Sequence, residues 1–231
     1  MVFINSVYDI LYFIISITPF LLRGLVNTLR IGIMSFIFGF LLGMVVGVCR
    51  VSGGRAISTI ATSYVEVIRG TPLLVQILFA YFGLPFIGIK LSPSIVGVVV
   101  IGINSGAYQA EIIRSGILSI PQEQLDVAKA LGMTNLQVMR YVILPQALRN
   151  IIPALVNEFV TLIKDSSLVS VIGEVELTRC GEYIISRTFR PFEVFFVVAL
   201  LYLVVCFTFS KIASLLERRV RVPGYFKVYR W

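Results

Sequence analysis

The sequence predicts an all-α, polytopic membrane protein with five transmembrane helices, its N-terminus outside and its C-terminus inside the cell. Composition is the first reason: 58% of the 231 residues are hydrophobic and only 14% are charged, whereas soluble domains average about 25% charged residues. The second reason is a series of long apolar stretches, and the third is an uneven distribution of basic residues between their connections. A water-soluble fold of this size could not bury so much apolar surface, so we expect the chain to lie in a bilayer.

Each predicted span has the roughly 20 mostly apolar residues that crossing a bilayer requires. The five spans cover residues 22–49, 57–84, 92–117, 150–173 and 191–215. Because Arg30 lies in the first span and Glu66 and Arg69 in the second, both are expected to pack inward rather than face lipid. Residues 1–18 are also apolar, but Pro19 and the short length favour an interfacial helix over a sixth span, and the pattern of a signal peptide is not evident.

Orientation follows from the basic residues in the connections between spans. With the N-terminus outside, twelve Lys and Arg residues fall on the inner side and five on the outer side. Half of the inner set lies in the tail that begins at Lys211. Because inner loops carry the excess of positive charge in membrane proteins, this bias predicts the N-out, C-in arrangement.

Several functional classes are excluded by what the sequence lacks. It contains no histidine, which removes histidine bases, the usual catalytic triads and His-ligated zinc. Cys49, Cys180 and Cys206 are far apart and form no CxxC pair, so a disulfide scaffold or thiolate metal site is unsupported. No GxxxxGK[ST] loop is present, so any ATP must be handled by a partner. The net charge of +8 is assigned to inner loops and anionic headgroups, not to nucleic acid. We therefore predict no catalytic residue and no metal site.

The connection between the third and fourth spans carries its own helix signals. Ser119 and Gln122 have the spacing of a capping box, and Gly132 suits the left-handed position that ends a helix. Between them, Leu125, Ala128 and Leu131 recur every three residues and form a short apolar face.

A second helix is predicted immediately after Gly132. Thr134 and Gln137 repeat the capping-box spacing, and Pro145 is expected to interrupt the helix that they start. From these patterns alone, an amphipathic linker resting on the membrane surface explains the segment as well as a docking element does.

The spacing of this connection resembles the EAA loop of ABC importer permeases. The matching residues are Asp126, Val127, Ala128, Gly132, Val142, Ile143, Leu144 and Pro145. Three further runs resemble polar amino acid permeases: Arg69-Gly70-Thr71-Pro72-Leu73-Leu74-Val75-Gln76, Ser105-Gly106-Ala107-Tyr108-Gln109-Ala110-Glu111-Ile112-Ile113-Arg114, and residues 157–168. Asp at position 126 and Val at positions 127 and 142 depart from the loop pattern conservatively.

The resemblance implies a type I ABC importer architecture. It implies a single permease domain over 1–231 with its core at about 20–217, in a bacterial cytoplasmic membrane. The loop at about 119–145 would dock on an ATPase subunit, through residues that include Asp126, Ala128, Gly132, Leu144 and Pro145. Implied partners are two ATPase copies that bind ATP and Mg, a second copy of this permease or a related one, an extracytoplasmic amino acid-binding protein and membrane lipid.

Ionisable residues within spans are costly and usually face a cavity or a partner. Glu158 and Asp165 are two helical turns apart and share a face with Thr161; Asn157 flanks that face. The third span carries three further candidates for cargo binding, Asn104, Tyr108 and Glu111.

Local pairing is the alternative for some of these charges. Glu66 with Arg69, and Glu111 with Arg114, have the three-residue spacing of helix ion pairs. Gly70 and Pro72 predict a bend in the second span that is either a hinge or a fixed kink.

The function expected is that of a permease subunit for a polar L-amino acid, with a weak preference for basic cargo such as arginine. The alternatives are a self-contained secondary transporter or channel, a membrane enzyme, and a receptor or scaffold. Activity without an ATPase subunit would identify the first alternative. The absence of histidine argues against the second, and the charges within spans argue against the third.

Overall fold

The computed structural model describes residues 2–220, and the side chains of residues 8–215 within that range. Every regular element in the described range is helical, as predicted. The α-helices are α1 (Val2–Ser52), α2 (Arg55–Arg69), α3 (Leu73–Leu78), α4 (Pro93–Leu118), α5 (Gln122–Ala130), α6 (Asn135–Gln137), α7 (Leu144–Asp165), α8 (Leu177–Thr188) and α9 (Pro191–Val220). Two π-turns, Phe79–Gly83 and Val138–Ile143, and two 3₁₀ segments, Leu84–Ile87 and Ser166–Ile172, extend these helices. The basic tail residues beyond position 220 lie outside the described range.

Helix α1 is continuous over 51 residues and contains Pro19. The helix therefore does not break at Pro19, and residues 2–18, predicted to form an interfacial helix, are continuous with the first span. Proline deprives the helix of one backbone hydrogen bond, but packing can hold such a helix together. Here Ile17 and Leu21 are buried against the cluster formed by α8 and α9. The hydroxyl of Thr18 also donates a hydrogen bond of 2.7 Å to the carbonyl of Ile14.

Helices α1 and α4 form the most extensive contact of the fold, and they are parallel. Ser35 Oγ donates a hydrogen bond to the carbonyl of Val98. Further along both helices, Gly43 of α1 lies against Gly106 of α4. The side of α1 that meets α4 carries small residues, which let the two backbones approach closely. A Cβ at Gly43 would lie 2.9 Å from the carbonyl oxygen of Gly106.

The remaining long helices alternate in direction. Ser105 of α4 contacts Glu158 of α7, whereas Gly116, later in α4, contacts Ile151, earlier in α7, so these two helices are antiparallel. Helix α9 packs against α7 through the edge-to-face pair Phe159 and Phe209. Since α1 and α4 point the same way, the bent unit formed by α2 and α3 returns the chain to the end of the bundle from which α1 starts.

Within the described residues, three helices are long and apolar enough to cross a membrane: Tyr8–Ser52, Pro93–Leu118 and Pro191–Leu215. The pair Arg55–Arg69 and Leu73–Ile87, bent by 99°, makes a fourth if it is counted as one span. The predicted span at 150–173 is not among them. Helix α7 carries Glu158, Lys164 and Asp165 in its last two turns, and these charges lower its hydropathy.

Arg30 does not pack inward as expected. It is exposed beside Val26, Ile33 and Met34, on the side of α1 away from the buried Thr28 and Ile31. The reason is helical geometry: the face of α1 that packs against the rest of the bundle passes through Thr28, Ile31 and Ser35, which leaves position 30 on the opposite side. A long arginine side chain tolerates this position by extending its charged end toward polar surroundings.

Candidate functional site: a charged cavity at a broken helix

The site is built around the break between α2 and α3. Gly70 and Thr71 interrupt the helix, and Pro72, whose ψ is 134°, restarts it as the N-cap of α3. The 99° bend confirms the interruption that the sequence predicts at Gly70 and Pro72. A proline lacks the N–H that would continue the helix, so backbone carbonyls before it lose their partners.

Gln76 satisfies the carbonyls left open at this break. Its side-chain nitrogen donates to the carbonyl of Ile68 at 2.8 Å and to the hydroxyl of Thr71 at 2.7 Å. Its side-chain oxygen accepts a hydrogen bond of 3.2 Å from Asn104 of α4. The break is thereby tied to α4, and the bend has a defined geometry.

Helix α4 presents a polar face toward α7. Ser105 donates a hydrogen bond of 2.8 Å to Glu158 Oε1, and the buried Gln109 donates to Ser105 at 2.9 Å. Tyr64 of α2 donates to the carbonyl of Ile103. The hydrogen bonds of Ser105 and Gln109 fix one oxygen of the Glu158 carboxylate and leave the group at the edge of an open space.

That space is a partly open cavity of about 450 Å³ bordered by α4, α7 and the α2–α3 break. Its lining combines both charges with hydroxyl and amide groups. The lining residues are Arg69, Gly70, Thr71, Pro72, Leu73, Asn104, Tyr108, Glu158, Thr161 and Asp165. Small-molecule sites typically have a volume of about 300–1,000 Å³ and a few convergent polar groups.

The structure brings together five of the seven residues predicted to bind cargo: Asn104, Tyr108, Glu158, Thr161 and Asp165. Glu111 and Asn157 do not line the cavity. Asn157 is exposed, and its backbone carbonyl accepts a hydrogen bond from Thr161.

Glu111 is engaged elsewhere, in an ion cluster. It pairs with Arg114 on α4, as the three-residue spacing predicts, and also with Arg50 from the end of α1. Arg50 in turn donates to Thr62 of α2. This cluster joins three helices and neutralises Glu111 without any cargo.

The predicted pair between Glu66 and Arg69 is wrong, since no salt bridge joins them among the described side chains. Glu66 is exposed, and the guanidinium of Arg69 lies over the ring of Tyr108, 4.9 Å from its centre. Sequence reasoning therefore missed Arg69 as a lining residue, together with Thr71. Their position next to Gly70 and Pro72 was the available signal, because a break exposes the residues that flank it.

The connection between α4 and α7 forms a separate surface at one end of the bundle. Gly132 ends α5 with φ of 79°, and Thr134 and Gln137 form a complete capping box at α6, both as predicted. The capping box expected at Ser119 is wrong: Pro121 is the N-cap of α5. Ser119 instead donates to the carbonyl of Gly116, in the last turn of α4.

The expected interruption at Pro145 is also wrong. The π-turn Val138–Ile143 leads directly into α7, and Pro145 occupies the first turn of that helix. A first-turn proline is tolerated because its missing N–H has no partner there. Leu144 stands beside it as the first residue of α7.

The remaining predicted coupling residues differ in exposure. Ala128 is buried in the cluster under α4 and α7, whereas Asp126 is exposed and accepts a hydrogen bond from Gln122. Large apolar side chains remain exposed on this surface, namely Val127, Leu131, Leu136 and Tyr141.

Residues 8–215 provide no cluster of three or more Cys, Asp or Glu side chains that could hold a metal ion. The charged, hydroxyl and amide groups that line the cavity offer charge and hydrogen bonds to a polar molecule.

The lining of the cavity carries two carboxylates and one guanidinium, and comparisons with known proteins agree with a transport role. The family described as binding-protein-dependent transport system inner membrane component matches residues 39–222. The glutamine transport system permease protein GlnP of Escherichia coli strain K12 is 43% identical over 206 residues, 88% of this chain and 94% of that protein. The putative glutamine permease GlnP of Rickettsia felis is 37% identical over 204 residues, with the same coverage.

Solved structures show the same fold. A crystal structure of an amino acid ABC transporter with histidines contains a chain that is 46% identical, with a TM-score of 0.85 over 89% of this chain and 96% of that one. An inward-facing structure of the MetNI methionine transporter, 22% identical with a TM-score of 0.75 over 89% of this chain and 98% of that one, shares the fold. The chain therefore belongs to the family of binding-protein-dependent transport system inner membrane components, the multi-pass permeases of ABC transporters.

Proposed function

We propose that the chain is the permease subunit of an ABC importer that carries a polar L-amino acid through the cavity between α4 and α7, with a weak preference for basic cargo. The supporting observation is the placement of Glu158 and Asp165 in one cavity of a membrane protein. Such carboxylates are costly in a bilayer unless a cation or a hydrogen-bond network satisfies them. The relatives named for glutamine transport favour a polar amino acid as cargo. The preference for basic cargo is supported only by the two carboxylates in the cavity.

The topology proposed is five crossings with the N-terminus out and the C-terminus in. The parallel arrangement of α1 and α4 supports it, because the bent unit of α2 and α3 must cross back between them. Helix α7 runs antiparallel to α4 and completes the alternation despite its charges. This topology places most of the basic residues on the inner side of the membrane, in agreement with the positive-inside rule.

The surface formed by α5 and α6, residues 122–137, which we call the coupling surface, would dock on the ATPase. Val127, Leu131 and Leu136 leave apolar area exposed there, and exposed apolar patches mark interaction sites. Two ATPase copies would bind ATP and Mg. A second permease copy, either identical or related, would complete the pathway. An extracytoplasmic binding protein would deliver the cargo. Closure of the ATPases would move the coupling loops and switch the cavity between outward and inward openings in a bacterial cytoplasmic membrane.

The test uses the purified permease–ATPase complex with its binding protein in lipid vesicles. Polar amino acids from a panel should stimulate ATP hydrolysis and be taken up. Uptake without ATP or without the ATPase would instead indicate a secondary transporter or channel, and no response to any amino acid would contradict the proposal.

Basic preference is tested by Glu158→Gln and Asp165→Asn. Each change removes one negative charge from the cavity and keeps the size of the side chain. Uptake of arginine should fall about tenfold or more, which corresponds to at least about 1.4 kcal/mol, and uptake of glutamine should fall less. Glu182→Gln is the control, since Glu182 pairs with Arg179 on α8 and does not line the cavity. Equal losses for both cargoes would make the two acids structural.

A further inference from the structure

Arg69 is the only basic side chain among the residues that line the cavity. It belongs to the last turn of α2, immediately before the break. None of the salt bridges and hydrogen bonds within the described residues uses its guanidinium, which lies over the ring of Tyr108. Glu158 and Asp165 line the same cavity. The charge of Arg69 acts on Glu158 across this space, but neither carboxylate is within ion-pair distance of the guanidinium.

Because no ion pair or hydrogen bond within the described part of the chain engages the guanidinium of Arg69, its N–H donors are available to an anion that enters the cavity. Stacking on an aromatic ring contributes modestly to binding a guanidinium and occupies its flat face. The five N–H donors lie in the plane of the group and remain directed outward, in the fork that matches a carboxylate. Arg69 can therefore form a bidentate contact with a carboxylate that enters the cavity.

Formal charge gives the complementary half of the argument. One guanidinium and two carboxylates give the lining a charge of −1 when all three are ionised. A zwitterionic amino acid leaves that charge unchanged, and a basic amino acid cancels it. In both cases the cargo has one carboxylate, and the cavity contains one cation able to receive it.

We propose that Arg69, positioned by Tyr108, binds the α-carboxylate of the cargo, while Glu158 and Asp165 receive its positively charged groups. This inference rests on the proposed function and adds an orientation to it: the carboxylate points to the α2–α3 break and the ammonium to α7. The site would then require a free carboxylate and reject amines that lack one.

The experiment measures equilibrium binding to the purified permease–ATPase complex without the binding protein, which would select cargo by itself. Labelled arginine is displaced by unlabelled arginine or by agmatine, its decarboxylated counterpart; glutamine and 4-aminobutanamide form a second pair. In the unaltered protein the amine should bind more weakly than the amino acid by about tenfold to a hundredfold, the range for a hydrogen-bonded charge. Equal competition by amine and amino acid overturns the inference without any variant.

Two variants then identify the group responsible. Arg69→Gln should bring the amino acid and its amine to within about threefold of each other, because only the carboxylate contact is lost. Arg69→Lys keeps the charge without the planar fork and should retain an intermediate ratio. Arg187→Gln, at an exposed position of α8, is the matched control and should keep the full ratio. An unchanged ratio in Arg69→Gln overturns the inference, whereas failure of the unaltered protein to bind any amino acid overturns the proposed function itself.

Discussion

Gly132 shows how one residue sets the geometry of the coupling surface. Its φ of 79° lets the chain turn back at the end of α5, and the N–H of Met133 reaches the carbonyl of Ala128 at 3.2 Å. This bond is the 6→1 contact of a Schellman motif, which satisfies a carbonyl that the helix end would leave open. A Cβ built on Gly132 would meet nothing within 4 Å, so the requirement for glycine is conformational.

The variant Gly132→Val should therefore insert normally yet lose ATPase association or substrate-stimulated hydrolysis. A β-branched residue in the left-handed region costs about 1–3 kcal/mol, which the loop relieves by moving. Gly132→Asn should keep most activity, because asparagine tolerates this region. Gly54→Val is the control: Gly54 also has open space around it but has φ of −59°. Wild-type transport by Gly132→Val would contradict this role.

Glu176 is a second residue whose environment gives a testable prediction. It is fully buried and accepts hydrogen bonds from the N–H groups of Thr178 and Arg179 and from the hydroxyl of Tyr202. Burial nevertheless outweighs these donors and raises the pKa of its carboxyl above the usual value. Such a group is more easily protonated in the folded protein than in the unfolded chain.

A raised pKa in the folded state gives stability that is complete below the unfolded pKa and declines as pH rises through the folded pKa. The midpoint of thermal unfolding in detergent should accordingly fall as pH rises above about 4.3, the value for an exposed glutamate. Glu176→Gln, which cannot ionise, should flatten this dependence. An equally steep pH profile in the variant would assign the effect to other groups.

At this scale the sequence predicted, as cargo candidates, five of the residues that line the cavity, but not Arg69 or Thr71. The seven-residue spacing of Glu158 and Asp165 was sufficient to predict a shared face, since helix geometry fixes it. Glu111 was misassigned because its partner Arg50 lies on another helix, and sequence spacing contains no information about that contact. Arg69 was misassigned for the related reason that Tyr108, which it contacts, is also distant in the chain.

At the scale of elements, the contact between α1 and α4 depends on glycines. A Cβ added at Gly43 would lie 2.8 Å from Cβ of Gln109 and 2.9 Å from the carbonyl oxygen of Gly106. At Gly32, on the same helix, the nearest atom would be a side-chain carbon of Ile163 at 3.4 Å. The two positions differ in crowding but share the helical backbone.

Gly43→Ala should lower the midpoint of thermal unfolding, and Gly32→Ala should leave it unchanged or raise it. Both changes gain about 1 kcal/mol of helix propensity, while overpacking at Gly43 costs about 1–3 kcal/mol. The measurement is thermal unfolding of both variants in one detergent. Equal midpoints for the two variants would show that α1 and α4 accommodate a methyl group at Gly43 without loss of stability.

Element boundaries were predicted best where backbone chemistry is local. Thr134 with Gln137 and the turn at Gly132 are fixed by neighbours in sequence, and both predictions are confirmed. Pro19 and Pro145 misled the prediction because tertiary packing and a preceding π-turn accommodate a proline that an isolated helix would reject. Gly39, Gly43 and Gly47 stand at four-residue intervals, a pattern that could have predicted the contact face of α1.

For the whole molecule, the proposed topology places the α5–α6 surface and the connection before α4 on opposite sides of the membrane. Glu123 and Lys90 are exposed residues in these two regions. In a variant without Cys49, Cys180 and Cys206, a cysteine at position 90 should react with an impermeant thiol reagent in intact cells. A cysteine at position 123 should react only after the cells are opened. External labelling at position 123 would contradict the orientation.

Composition was sufficient to predict a helical membrane protein, because a bilayer imposes helices and apolar length. It could not give the length of α1, which at 51 residues and about 1.5 Å per residue measures about 76 Å and exceeds the roughly 30 Å hydrocarbon layer. The packing of α8 and α9 on residues such as Ile17 and Leu21 supports this length, and those contacts join distant parts of the sequence.

The glycine face of α1 also has a consequence for biosynthesis. Ser35 meets Val98, 63 residues later in the chain, and the same interval separates Gly43 from Gly106. At a synthesis rate of about 5–20 residues per second, the ribosome needs about 3–13 s to produce the matching part of α4. During that time α1 has been synthesised but α4 has not. The glycine face of α1 can then be covered only by lipid or by an insertion factor. The order of assembly is thus fixed by the chain itself: the first and third spans pair only after the broken second span has been made.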